Sequence, residues 1–206
     1  EMTVAQLDPL FSEIKEKLVA FVGQLRQKNP VDNSFLQQFY PKDAQWQFGL
    51  DVLKGIGYDF NAGRQDLSPH PFTTSFGPGD IRVTTRIDEE NFDNMCWSCI
   101  HEGGHALYEQ GLLSEYYGLP MGLYISLGIH ESQSRLWENN VGRSLPYWKA
   151  NYTELQKLFP ENLSKVSLVD FYKSMNGVKP SLIRTNADEL TYHFHILVRF
   201  EIEKSL

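Results

Sequence analysis

The sequence predicts a mainly α-helical fold with a small strand or hairpin region. Apolar residues recur at three- and four-residue spacing over long stretches, the pattern of helices with one buried face. Strict alternation marks one stretch, "DIRVTTRI" at 80–87. The composition is that of an ordinary globular chain, 41% hydrophobic and 22% charged.

Each element follows from local chemistry. Leu7, Leu10, Phe11, Ile14, Leu18, Phe21, Val22 and Leu25 place an amphipathic helix over 7–28, closed by Asn29-Pro30. A shorter helix runs from Lys42 to about Lys54 and stops at Gly55 and Gly57. Residues 58–79, rich in proline and glycine toward their end, read as irregular. In 80–87, Ile81, Val83, Thr85 and Ile87 line one face and Arg82, Thr84 and Arg86 the other, which is a half-exposed strand. The next helix takes Asp88 as N-cap, Glu89 and Glu90 at its positive end and Gly111 as C-cap. A further helix spans about Leu127 to Val141, with Gly142 as its stop. The last, from about Ala187, carries Leu190, Phe194, Leu197, Val198 and Ile202 in a broad apolar stripe. Left uncovered, such a stripe favours self-association through this helix or the first one.

Several function classes fall away. A length of 206 residues allows one large domain or two small ones. The net charge of -7 argues against a nucleic-acid surface, which needs clustered Lys and Arg. No apolar run approaches the roughly 20 residues of a membrane span, and no signal-peptide pattern stands at the start. Two cysteines are too few for a disulfide framework. Cys96 and Cys99, one helical turn apart, read as small apolar residues on a buried helix face.

The chemistry concentrates in "CIHEGGHALYEQG" at 99–111. On a helix His101 and His105 lie one turn plus about 40° apart, so both imidazoles reach one ion. Glu102, about 100° round from His101, can hydrogen-bond a water on that ion without ligating it. His-Glu-x-x-His thus supplies two zinc ligands and a general base from one helical turn. At this chain's composition a chance match is on the order of 1 in 100, so the motif needs support. Gly103 and Gly104 provide it: each costs about 1 kcal/mol in a helix interior, and close approach of another backbone beside the metal would be the reason for them. A catalytic zinc also needs a third protein ligand and an open position. Glu131 is the candidate, because the interval from His105 allows a helix, a loop and a return helix, and because His130-Glu131-Ser132-Gln133 is a polar cluster in an otherwise apolar helix. Glu138, two turns further along the same face, is its rival.

Five stretches in order, "HPF" (70–72), "DIRVT" (80–84), "HEGGH" (101–105), "HESQ" (130–133) and "IRTNAD" (183–188), resemble the motifs of the thermostable, Taq-type metallocarboxypeptidase family. The resemblance runs nearly end to end. It implies a mostly helical, zincin-type core with the metal at the floor of a deep groove. It implies zinc, or cobalt in some members, removal of single residues from free peptide C-termini, and a cytoplasmic homodimer. Family members are more than twice this length, and their Gly-x-x-Gln-Asp-x-His-Trp motif is absent, so residues 1–206 are expected to be a central catalytic-core fragment of a larger domain.

Substrate contacts are expected from the same motifs. An exopeptidase must neutralise a substrate carboxylate, which a forked guanidinium does best, so Arg184 is the first candidate and Arg82 the second. His70 and His130 are further candidates, and a core histidine with one satisfied hydrogen bond is the alternative for His130. Strand 80–87 could pair with an extended substrate as an exposed edge does. Asp188 caps the last helix or orients a ligand from behind, and His193 and His195, two apart on that helix, cannot face one ion. Two other readings stay open: an oligopeptidase or endopeptidase of the glutamate-zincin group, against which Arg135 weighs where some types carry Asp, and a non-catalytic module that keeps metal for stability.

Overall fold

A computed structural model describes residues 2–206. The elements in chain order are α1 (Val4–Leu25), α2 (Lys42–Ile56), β1 (Gln65–Leu67), β2 (Thr73–Ser75), β3 (Ile81–Thr85), α3 (Phe92–Gln110), α4 (Leu127–Arg135), α5 (Leu145–Leu158), α6 (Pro160–Leu163), α7 (Leu168–Met175) and α8 (Tyr192–Ser205). Short 3-10 turns join several of them, and a π-helical stretch, Leu136–Gly142, extends α4. The mainly helical expectation holds. The chain divides into two compact units: Asn33–Met175, and the terminal segments up to Asp32 and from Asn176 onward.

The terminal unit contains α1 and α8. Helix α1 starts earlier than its apolar spacing suggests, because the Gln6 side chain accepts the Thr3 N–H (2.8 Å) and closes the first turn at Thr3. Phe11 meets Phe200 edge-on at 4.7 Å, and Lys204 pairs with Asp8. Leu197 is buried, whereas Val198 and Ile202 are exposed. The Asp188 carboxylate accepts the backbone N–H groups of Leu190 and Thr191, so it fixes the turn into α8.

In the central unit α2 ends at Gly57, whose φ of 102° carries the left-handed cap that glycine adopts without strain. Two of the three strands lie in the stretch read as irregular. The sheet order is β1-β3-β2, with β1 parallel and β2 antiparallel to β3. The expected strand is therefore central: both its edges are hydrogen-bonded, and it is not the free edge that could take up a substrate backbone. It is also more buried than its alternation implied, since α3 packs against it and Arg82 alone of its five residues is half-exposed. Helix α3 begins at Phe92, with Asn91 and not Asp88 at the N-cap position; the Asp88 carboxylate instead accepts the Glu90 N–H in the turn before it. The C-terminus at Gly111 is as expected.

The core centres on α3. Phe92, Met95, Cys96, Cys99, Ile100 and Ala106 face α2, the sheet and the later helices and are buried. Tyr40 stacks on Phe92 at 4.9 Å, and Phe159 meets Phe92 edge-on at 5.2 Å. Such aromatic pairs add about 0.5–1.5 kcal/mol each beyond area burial. Both cysteines are free and buried, as apolar helix-face residues should be.

The two glycines inside α3 are contact points. A Cβ on Gly103 would stand 2.6 Å from Ile56 Cδ1 of α2, and one on Gly104 would stand 2.7 Å from Ser134 Cα of α4. Gly104 is thus where the two helix backbones meet. A methyl group there must push α4 away, at a cost of about 1–3 kcal/mol. Gly104→Ala should accordingly lower the thermal midpoint by several degrees, while Gly55→Ala, at a site with open space around it, should leave it unchanged or raise it slightly. Differential scanning calorimetry of the two variants checks this.

Candidate metal centre

The contact at Gly104 brings α4 across the face of α3 that carries the two histidines. Glu131 Oε2 lies 3.7 Å from His101 Nε2 and 3.3 Å from His105 Nε2. These three residues are the one group of three or more His, Cys, Asp or Glu among the described residues able to hold an ion, with ligand atoms all within 4.8 Å of one another. Ligands at about 2.0–2.1 Å from a tetrahedral ion stand about 3.3 Å apart, so the arrangement needs little adjustment to close on one. Two imidazole nitrogens and one carboxylate oxygen make a donor set that leaves a position open.

Glu102 is buried, 8% exposed, and held by the sheet. The Thr73 hydroxyl donates to Glu102 Oε2 at 2.7 Å. This tie from β2 fixes one carboxylate oxygen.

Glu138 does not join the ligand cluster. Its Oε2 accepts a hydrogen bond from His101 Nδ1 at 2.8 Å, on the far side of the ring from Glu131. A carboxylate that accepts the Nδ1–H hydrogen bond favours the tautomer with the Nε2 lone pair toward Glu131. Arg135 links both acids, with Nε 3.0 Å from Glu131 Oε1 and Nη1 2.8 Å from Glu138 Oε2. Arg143 approaches Glu138 Oε1 from the other side at 3.4 Å, donates to the Met175 carbonyl and lies 3.9 Å over the Trp97 ring.

The electrostatics follow. Burial pushes the Glu131 carboxyl up, but the hydrogen bond from His105 and the charges of His101 and Arg135 outweigh it and bring it down to about 2. Burial pushes the His101 imidazole down, yet the bond and charge of Glu138 and the charge of Glu102 hold it above its ordinary value. Glu138, also buried, is kept below the usual carboxylate range by His101, Arg135 and Arg143. Two carboxylates thus stay ionised beside the two imidazoles.

The other expected residues lie as follows. His130 Nε2 is 2.8 Å from Glu109 Oε1, and its ring stacks on His105. The Arg82 fork is closed on Asp80, at 2.8 and 2.7 Å. His70 is exposed on the loop between β1 and β2. Arg184 belongs to the terminal unit, where its guanidinium donates to the Tyr192 hydroxyl. Sequence reading missed Thr73, Arg135, Glu109 and the supporting place of Glu138. Glu109 had a signal, since it stands one turn beyond His105; Thr73, on a three-residue strand, had none.

A profile of the family described as Carboxypeptidase Taq (M32) metallopeptidase matches residues 1–206. The chain belongs to the M32 family. It is 49% identical over 207 residues to thermostable carboxypeptidase 1 of Thermus thermophilus, covering 100% of this chain and 40% of that protein. Two solved structures superpose with TM-scores of 0.96, each covering 99% of this chain and 41% of the other: one described as "The Structure of CHT", at 61% identity, and the M32 carboxypeptidase from Deinococcus radiodurans R1, at 44%. The chain therefore spans about two fifths of the length of the relatives it matches.

An M32 metallopeptidase implies a divalent metal, and the His101, His105 and Glu131 donors fit one in number, kind and spacing. Two variants separate ligand from support. Glu131→Ala should lose the ion on dialysis, and Glu138→Gln should keep it with affinity reduced about 10- to 100-fold. Metal content by atomic emission, with competition against a chelator, measures both; wild-type retention by a folded Glu131→Ala protein would remove Glu131 from the ligand set.

Proposed function

We propose that this chain is the metal-binding core of a metallocarboxypeptidase that releases single residues from the free C-termini of peptides, with Zn2+ as the ion and Co2+ as a possible substitute. The observation that carries the reading is the convergence of two imidazole nitrogens and one carboxylate beside a buried glutamate that is not part of the ligand set. His101, His105 and Glu131 would hold the ion, Glu102 would be the base, and residues 1–206 form the catalytic core of a larger domain.

The chemistry zinc would supply at that site is a water made acidic enough to be a nucleophile, with a pKa of about 7. Glu102, pinned through Oε2 by Thr73, takes the water proton on Oε1 as the water oxygen bonds to the scissile carbonyl carbon. The C–N bond then breaks, and Glu102 returns the proton to the leaving amine nitrogen. Glu138 keeps His101 in the tautomer that presents Nε2. Arg135 holds Glu131 and Glu138 in register. The terminal carboxylate of the substrate calls for a forked cation, for which Arg184 and Arg82 are the candidates; the Arg82 fork is engaged by Asp80 and the Arg184 guanidinium donates to the Tyr192 hydroxyl. His70, exposed between the strands, is placed along the peptide. The charge of -7 and the absence, among the described residues, of a helix long and apolar enough to cross a membrane suit a peptide substrate better than nucleic acid or lipid. Two free, buried cysteines suit a reducing, cytoplasmic setting, and the exposed Val198 and Ile202 on α8 suit a homo-oligomer.

The test is a pair of peptides, one with a free C-terminus and one amidated. Metal-loaded protein should release the last residue of the first and leave the second intact. Cleavage of both would mean an endopeptidase, and cleavage of neither with metal bound would mean a non-catalytic, metal-stabilised module. Glu102→Gln should bind metal normally and show no hydrolysis; near-normal turnover in that variant would place the base elsewhere. Thr73→Val should keep the metal and lower kcat about tenfold, the loss of one hydrogen bond to a charged group.

A further inference from the structure

The two histidines are held in different ways. His101 is fixed through Nδ1 by a carboxylate, Glu138. His105 has no such partner: its Nδ1 is buried and without a hydrogen bond. An imidazole that presents Nε2 to an ion must be kept from rotating about its Cβ–Cγ bond, and for His105 the hydrogen bond that ordinarily does this is missing.

Ring packing takes its place. The His130 imidazole lies nearly parallel to His105, with centroids 4.5 Å apart and planes at 26°. His101 meets the same ring edge-on at 4.9 Å. The His130 ring is itself immobilised: Glu109 Oε1 lies 2.8 Å from its Nε2, and Tyr108 and Tyr124 stand edge-on at 5.4 and 5.1 Å. Glu109 is four residues beyond His105 on α3, and His130 directly precedes Glu131 on α4. The carboxylate therefore reaches across the helix interface to the ring that covers its own helix's ligand.

We propose that Glu109 and His130 are positioning residues for His105, with Glu109 acting through the hydrogen bond to His130 and His130 acting through its stacked face. This inference rests on His105 being a metal ligand. It assigns to a carboxylate outside the ligand cluster the task that Glu138 performs for His101 by direct contact. A ring of similar size at position 130 should suffice for the stack, and an amide at 109 should suffice for the bond.

The experiment is a Co2+ titration of the apo-protein, followed by the visible d–d absorption of the bound ion and by competition with a chelator, on variants shown to be folded by circular dichroism. Glu109→Ala should weaken Co2+ binding about tenfold and His130→Ala, which loses the bond and the stacked face together, more than that, and each should shift the d–d band, as loss of an outer-shell support does. Glu109→Gln should stay within about threefold of the wild type, and His130→Phe, which keeps the stacked face but not the bond, should fall no further than Glu109→Ala. In a His130→Phe background, Glu109→Ala should have no further effect, because the hydrogen bond through which Glu109 acts is already gone. Wild-type affinity and band shape in both alanine variants would overturn the proposal, as would a His130→Phe protein as damaged as His130→Ala. If Glu109→Ala does not fold, the two substitutions at 130 decide. Failure of the wild type to take up one Co2+ that Glu131→Ala loses would instead overturn the metal site itself, and with it this inference.

Discussion

The contact of two helix backbones at Gly104 is the constraint on which the site depends. With Ser134 Cα 2.7 Å from where a Cβ would stand, α4 runs as close to α3 as two helices can. Glu131 then reaches two imidazoles that a wider separation would put out of range. Gly142 repeats the device further along: a Cβ there would be 2.9 Å from Ile100 Cδ1 of α3. The helix-propensity cost of placing Gly103 and Gly104 mid-helix, about 1 kcal/mol each, is offset by packing that no larger residue permits.

Behind the ligands lies a buried polar network that brings orientation at the expense of burial energy. Glu138 is 6% exposed and Arg143 7%, and both are charged. Isolated, each would be costly; together with His101, Arg135, the Met175 carbonyl and the Trp97 ring, most of their bonding capacity is filled. Such a group contributes little net stability but admits one arrangement of its members. Its consequence for the site is that the Nε2 direction of His101 is set from the protein interior, not by the incoming ion.

Much of this was legible in the sequence, and what was not has a physical cause. The spacing of His101, Glu102 and His105 fixes their directions on any helix. The run of polar residues at 130–133 marked Glu131 because a helix otherwise apolar has no need of it. Glu138 was ambiguous for the same reason that Glu131 was visible: seven residues apart, both fall on one helical face, and only the position of α3 shows that one meets Nε2 atoms and the other Nδ1. Strands β1 and β2 are three residues each, too short for alternation to show, and β1 pairs with β3 from further along the chain, in parallel. Without them β3 reads as an edge, and Thr73 has nothing to distinguish it from any other threonine. Helix α3 starts later than its charges suggest because Asp88 is used in a turn.

The π-helical stretch Leu136–Gly142 also bears on how such a chain can vary over generations. A wide turn of this kind holds one more residue than the α-helix it interrupts, as the bond from Arg143 N to Glu138 O shows. Deleting one residue within it would tighten the wide turn into a regular helix and disturb the places Gly142 and Arg143 now hold against Ile100 and Glu138. Length is therefore as much a part of the site as residue type over 131–143, and a gap there would disturb it while leaving His101, His105 and Glu131 in place.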